Sequence, residues 1–490
     1  MARASRGSAR PSYAELETLV AELSAQNAAL HERLAEQDAV IEELRRRLGR
    51  DSSNSSLPPS RDPPPSRAER RRRAREKAKE LAKREGQRKP GGQPGHEGKS
   101  RQMAPPEQVN QFCRHLPQEC SCGHRFDGSE ARADDPVVHQ KWELPPIRPL
   151  IFQHERLRLF CPCCGKPRLA ELPDGVSESA FGPRLEAHIA TFAGVYRLSR
   201  RQIASVVSEA LGIPISVGAV NAVIMRMSEV LKDPWRVLHE AVKRASVVHA
   251  DETSWSTRGR EGWLWLGACA FAACFRIDPG RTKQAAQELL GEEFGGFVVT
   301  DRYASYHWLD VLQQQLCWAH LVRQLVDLSQ RTGACGKLGT KLLNAAREVV
   351  SVHRRYLEDG HDLDWLSAEL LPLREQIKEL LERGRRSRNT RTQNFCAGLL
   401  DEYDALWTFC DVEDLNIPIT NNAAERALRH AVLIRRVQHG TQSEQGDRWV
   451  ERILSIVETC RLQGRSALQY LIDAATAAHH GRPAPSPLPP

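Results

Sequence analysis

Three acidic residues stand in contexts that suit metal-dependent chemistry. Asp251 follows the apolar pair Val247 and Val248 in SVVHADETSW, Asp301 closes the run Phe297-Val298-Val299-Thr300, and Glu425 lies in NNAAERALR. Carboxylates gathered from separate elements suit two Mg²⁺ or Mn²⁺ ions about 3.5 to 4 Å apart, because hard cations prefer oxygen ligands. Such a pair activates an oxygen nucleophile, stabilises a leaving oxygen and fixes an in-line geometry, which is what cutting and joining phosphodiesters demands. Plainer duties compete with this reading. Asp251 or Asp301 can simply end a strand, and Asn422-x-x-Glu425 spells a capping box. Glu252 rivals Asp251, but alternation along a strand turns it to the opposite face. His320, expected on a fifth strand after Trp318, is a candidate to orient a phosphate or a metal-bound water, with a core histidine as the equal alternative. Arg426 and Arg429 flank Glu425 on one helix, where they suit a DNA backbone, and Arg435 and Arg436 extend that strip.

The elements that must position these acids follow from periodicity. From Ala245 the chain reads as a strand, a hairpin of two more in GWLWLGACAFAACFRI, a helix in TKQAAQELLG, a strand in GGFVVT, a helical turn, and a strand in QQQLCWAH. That order is the order of a ribonuclease-H-like catalytic core, whose first part spans 241–323. Some ninety residues of helical text follow, too many for a loop, so 324–410 is expected as a helical insertion. A core helix over 411–440 carries Glu425, and 441–490 forms a C-terminal helical segment with a tail.

Upstream modules are expected to hold DNA and a partner. Within 1–50, leucines from Leu16 to Leu48 keep a seven-residue period with Asn27 at an a position, as in a leucine zipper that pairs two copies. A Ser/Pro linker then leads, within 51–105, to a basic arm in which Arg70, Arg71, Arg72, Arg73 and Lys77 suit phosphates. In 106–172, Cys120-x-Cys122 and Cys161-x-x-Cys164 form two knuckles, each followed by glycine. They suit a structural Zn²⁺, with reduced cysteines as the alternative and His115, His124 or Cys163 as substitute ligands. Residues 175–240 are helical. A Ser199/Gln202 capping box, a turn at Gly212-Ile-Pro214 and a Ser216 cap outline a helix-turn-helix candidate with Arg200 and Arg201 toward DNA.

Bulk properties agree with a multidomain α/β protein. The 490 residues exceed one ordinary core, and the net charge of +8 is concentrated rather than spread. Thirteen cysteines without an apolar leader argue against a disulfide framework. No apolar run approaches the roughly 18 residues of a membrane span, so a cytoplasmic protein without a membrane partner is expected.

The motifs SSNSSLPPS, RKPGGQPGHEG, YRLSRRQ, HADET, TDRYASY, QLCWAHLVR and NNAAERALR, with the zipper and cysteine module, resemble transposases of the insertion-sequence-66 family over nearly the whole chain. The resemblance implies a DDE-type enzyme acting on the inverted repeats of a bacterial mobile element, with Asp251, Asp301 and Glu425 as its triad, Mg²⁺ as its cofactor and a zinc domain ahead of the core. It also implies double-stranded DNA, both element ends and target, as partner, a dimer or larger assembly, and a nucleoid-associated state. Accessory proteins of the same element are further candidate partners. The Cys120-x-Cys122 knuckle is shorter than usual. Two alternatives stay open: a metal-dependent nuclease that never joins, and a non-catalytic DNA-binding regulator.

Overall fold

The computed structural model describes residues 37, 102–127, 129, 137–413 and 415–489. The expected zipper with Asn27 and the basic arm with Arg70 to Arg73 and Lys77 lie outside the described residues. Packing divides the described chain into two units, one of 153–206 and 214 onward, the other of 102–152 and 207–213. In the second unit a 3-10 turn at Pro106–Gln108 is followed by extended chain, with the Gln140 side chain bonded to both backbone groups of Ala104 at 2.7 and 2.9 Å. A single bridge, Glu119 to Arg125, closes the turn that holds Cys120 and Cys122.

The other unit opens with a hairpin, β1 (Arg158–Phe160) and β2 (Pro167–Leu169), wrapped round Cys161–Gly165. Four helices come next: α1 (Pro183–Gly194), α2 (Arg200–Glu209), α3 (Val217–Val230) and α4 (Lys232–Lys243). The capping box is formed reciprocally. Gln202 N donates to Ser199 Oγ at 3.3 Å while Ser199 N donates to Gln202 Oε1 at 2.9 Å. Ser216 caps α3 by accepting from Ala219 N, and Gly212 takes the left-handed φ of 68° that turns the chain between α2 and α3.

A five-stranded mixed sheet follows: β3 (Val247–Thr257), β4 (Arg260–Ala268), β5 (Ala273–Asp278), β6 (Phe297–Thr300) and β7 (Gln314–Leu316), with helix α5 (Lys283–Leu290) between β5 and β6. In space the strands lie in the order β5-β4-β3-β6-β7. The hairpin strands β3, β4 and β5 are antiparallel, whereas β3, β6 and β7 are parallel. Alternation along β3 sends Val248 and Ala250 into a core with Leu289 of α5 and Val242 of α4. His249 and Asp251 face the other way.

The fifth strand is shorter than its sequence suggests. It stops at Leu316, and α6 (Trp318–Ser329) begins two residues later, so His320 sits in the first turn of a helix rather than on a strand. Trp318, Leu321, Leu325 and Leu328 are buried together, and that spacing of three and four is helical. Helices α7 (Gly333–Asp359), α8 (Leu363–Arg385) and α9 (Thr390–Asp401) complete a helical region. Its core joins the sheet side through an edge-on pair of indoles, Trp318 and Trp407, 5.2 Å apart.

The chain then returns as α10 (Asn422–Gln438), α11 (Glu444–Leu462) and α12 (Ala467–His479). Helix α11 lies along β5. Thr459, Ser455 and Glu451, four residues apart, accept hydrogen bonds from the amides of Ala273, Phe275 and Ile277 at 3.0, 2.8 and 2.7 Å. Among the described residues no helix is long and apolar enough to cross a membrane.

Candidate active site

Asp251 and Asp301 are brought together by strand register. On the parallel pair β3 and β6, His249 stands beside Val299, and two residues beyond each lie Asp251 and Asp301. Neighbouring strands run about 4.8 Å apart, so Asp251, within β3, and Asp301, just past the end of β6, leave adjacent strands. Glu425 arrives from the first turn of α10, and all three line one cleft of about 720 Å³.

A buried asparagine fixes how α10 meets the sheet. Asn421 is fully buried, donates from Nδ2 to Ala250 O at 2.7 Å, and stands with Oδ1 3.0 Å from His249 Nδ1. It is also the residue that caps α10, and its side chain makes no capping bond. The capping box suggested for Asn422 and Glu425 is therefore not formed. Glu425 instead accepts from Arg323 Nη2 at 2.7 Å, with His320 Nε2 at 3.6 Å from the same oxygen. The other ring nitrogen of His320, Nδ1, is buried and has no hydrogen-bond partner among the described residues.

The acids differ in their surroundings. Burial, and then the neighbouring charges of Glu252, Asp301 and Glu425, hold the Asp251 carboxyl well above the usual range. Asp251 takes one backbone bond, from Glu252 N at 2.8 Å, while Asp301 accepts from Tyr303 N at 3.0 Å. Glu252 lies on the opposite face of β3, as alternation predicts. Its side chain is completely buried, and it accepts from Arg281 Nε at 2.6 Å and Tyr306 Oη at 2.7 Å. Burial, together with the Asp301 charge, raises its carboxyl to about 7. Arg281 in turn lies 3.2 Å from the Tyr303 ring centre and 3.7 Å from Asp301, which makes it a strut between the buried acid and the cleft. Burial, and then the Arg323 charge, holds His320 below its ordinary value.

Arg302, Arg323, Arg426, Arg429 and Arg436 face the same cleft. Arg426 and Arg429 are exposed, and neither has an acid partner among the described residues. Arg435, by contrast, turns inward and donates to Thr253 Oγ1 at 2.9 Å and Ser254 Oγ at 2.5 Å, tying α10 to β3.

A family model described as "Transposase IS66 family" matches residues 178–448. The chain belongs to the IS66 transposase family. A second model, of a family of unknown function (DUF6444), matches residues 6–102. Among curated relatives, the uncharacterized protein y4qI of Sinorhizobium fredii (strain NBRC 101917 / NGR234) is 27% identical over 284 residues, half of either chain. The uncharacterized protein y4hP of the same strain is 24% identical over 401 residues, 74% of this chain and 71% of the relative.

For this IS66-family chain, the remaining residues singled out from sequence fall as follows. Arg200 is tied to Asn221 by a 2.7 Å hydrogen bond, while Arg201 is exposed. Cys120 and Cys122 fall in one unit and Cys161 and Cys164 in the other. Gly123 and Gly165 both take positive φ, 90° and 66°, as a knuckle turn requires. Backbone amides of Cys122 and of Cys164 aim at the first sulfur of each knuckle and draw the Cys120 and Cys161 thiols down. Among the described residues, no group of three or more His, Cys, Asp and Glu is gathered to hold a metal ion as it stands. At the cleft, Arg323 is bonded to one oxygen of Glu425. Asn421, Arg281, Tyr306 and Arg323 are supporting residues of the site that sequence reading missed, while Glu252, placed by alternation on the opposite face, gains its supporting role only from its partners Arg281 and Tyr306. The HADET and QLCWAHLVR motifs contain Glu252 and Arg323 but do not say what they bind.

Proposed function

We propose that this chain is a DDE-type transposase: it binds the inverted repeats of a mobile element and performs metal-dependent DNA cleavage and strand transfer through a ribonuclease-H-like core. The observation that carries the reading is the convergence of Asp251, Asp301 and Glu425, from two adjacent strands and a facing helix, on one arginine-lined cleft. The donor chemistry fits divalent cations. All three ligands are oxygen anions, and the burial and then like-charge repulsion that raise Asp251 are what a bound cation offsets. Asp251, Asp301 and Glu425 would hold Mg²⁺ or Mn²⁺, and Glu425 would have to leave Arg323 to do so. When bound, the ions supply Lewis acidity and an activated oxygen nucleophile.

The chain's own groups do the rest. Arg426 and Arg429 bind the DNA backbone beside the scissile phosphate, and Arg323, once released, is placed to meet a phosphate oxygen as a charge-assisted donor. Arg281 holds Asp301 at the end of its strand while the buried Glu252 pairs with the half-buried guanidinium. His320 orients a phosphate or water from the α6 turn. Asn421 keeps Glu425 in register with Asp251. A zipper dimer and a zinc-bound cysteine module are part of the same proposal for the upstream residues.

Purified protein, Mg²⁺, an oligonucleotide bearing the element's flanking repeat and a supercoiled target make the test. Asp301→Asn should abolish cleavage and joining and leave binding to the element end nearly intact. Joining by that variant at the wild-type rate would remove Asp301 from the mechanism.

A further inference from the structure

Between α8 and α9 the chain reads Arg383-Gly384-Arg385-Arg386-Ser387-Arg388-Asn389-Thr390-Arg391, five arginines in nine residues with no acid among them. All five are exposed. Arg385 stands 3.7 Å from Glu382, but Arg383, Arg386 and Arg388 have no ion-pair partner among the described residues. Packing holds the loop in one place. Gly384 is pressed against Cys396 and Leu338, and Cys335 Sγ of α7 lies 3.8 Å from Ser387 Oγ, while Asn389 caps α9 by accepting from Thr392 N at 3.0 Å. Lys337, exposed in α7, adds to the same charge. Helix dipoles explain only part of the cluster. Arg383 and Arg385 sit favourably in the last turn of α8, but Arg388 precedes the N-terminal end of α9, where a cation is disfavoured unless an anion joins it.

Helix α9 connects this tip to the cleft. It runs twelve residues from Thr390 to Asp401, about 18 Å at the α-helical rise. At its far end Glu402 accepts from Arg302 Nε at 2.7 Å, and Arg302 lines the cleft next to Asp301. Along its length Arg302 lies 3.3 Å from where a Cβ on Gly398 would stand. At about 3.4 Å per base pair, 18 Å is roughly five pairs, half a turn of duplex.

We infer that the Arg383–Arg391 tip is a second duplex-DNA contact, gripping phosphates roughly half a turn from the phosphate held in the cleft. This rests on the cleft reading and adds the site that measures off the flanking duplex. The recognition is of backbone charge, so it is strongly salt-dependent and indifferent to sequence.

The test is fluorescence anisotropy of the full chain with a labelled duplex of about 30 base pairs across roughly 50 to 200 mM salt, where each phosphate contact contributes about 0.9 to the log–log slope. The triple variant Arg383→Ala, Arg386→Ala, Arg388→Ala should bind more weakly at every salt and flatten the slope by about 2 to 3, while Arg347→Ala leaves it unchanged. An unchanged slope and affinity in the triple variant would overturn the inference and turn attention to an acidic protein at the tip. A double variant, Arg426→Ala with Arg429→Ala, separates the two readings. If it binds like wild type while the triple variant does not, the tip stands as a duplex contact, and the cleft assignment falls together with the half-turn spacing measured from it. If the wild-type chain binds no duplex, both fall.

Discussion

Replacing Asn421 by leucine tests whether the α10 attachment is what keeps Glu425 in place. Leucine keeps the branched outline and the number of heavy atoms but is bulkier, so the change removes the polar groups and adds some crowding. It removes the donor to Ala250 O and the partner of His249 Nδ1, both at 3.0 Å or less, from a residue that is fully buried. Each polar group stranded in this way costs about 1 to 3 kcal/mol, so the variant should lose about 2 to 6 kcal/mol. Urea denaturation followed by tryptophan fluorescence reads the loss, since buried Trp318 adjoins the attachment: its N donates to Ile419 O at 3.1 Å, and the neighbouring Cys317 Sγ accepts from Asn421 N. Asn422→Ala, one residue on and exposed, should stay within about 0.5 kcal/mol of wild type. Asn421→Asp keeps an acceptor for His249 but sets an oxygen against the Ala250 carbonyl, so it should fall between wild type and Asn421→Leu near pH 5 and worsen as pH rises. A leucine variant as stable as wild type would show that these bonds do not join helix to sheet, and the account of Glu425 placement would fail with them.

Burial raises the Glu451 carboxyl from 4.5 to about 6, although it accepts from Ile277 N and pairs with Arg448. A folded value above the unfolded one favours the protonated form, so this stability is present below pH 4.5 and is lost as pH rises through about 6. Relative to wild type, Glu451→Gln should therefore gain roughly 2 kcal/mol between the two ends of that window, read from urea midpoints at each pH. Zinc measured by atomic absorption on the purified protein should fall to background in Cys161→Ser, and a wild-type protein already free of zinc would end the metal reading of the knuckles.

Some of this was legible in the sequence because it depends on local pattern. The apolar run Phe297 to Thr300 forces a buried strand whose end is Asp301, and the Ser199/Gln202 box reads directly as a helix start. The mixed sheet follows from strands and helices spaced as they are. Other features depend on which residues meet after long excursions. Arg323 reaches Glu425 across 102 residues and Asn421 reaches Ala250 across 171, and no periodicity encodes either meeting. The start of α6 was obscured for a different reason. QQQLCWAH is apolar enough to pass for a strand until Leu321, Leu325 and Leu328 are counted with it. Asn422 and Glu425 spell a capping box in sequence, but helix entry is set one residue earlier by the buried Asn421.

The ladder of Thr459, Ser455 and Glu451 on β5 has a consequence for crowding. An open outer strand offers its amides to any strand that comes near, and copies of one protein gathered on one piece of DNA are each other's nearest strands. Here a helix has already answered those amides, one side chain per turn. This border of the sheet is closed to strand exchange, so copies brought together on DNA can crowd without zipping into one another along it.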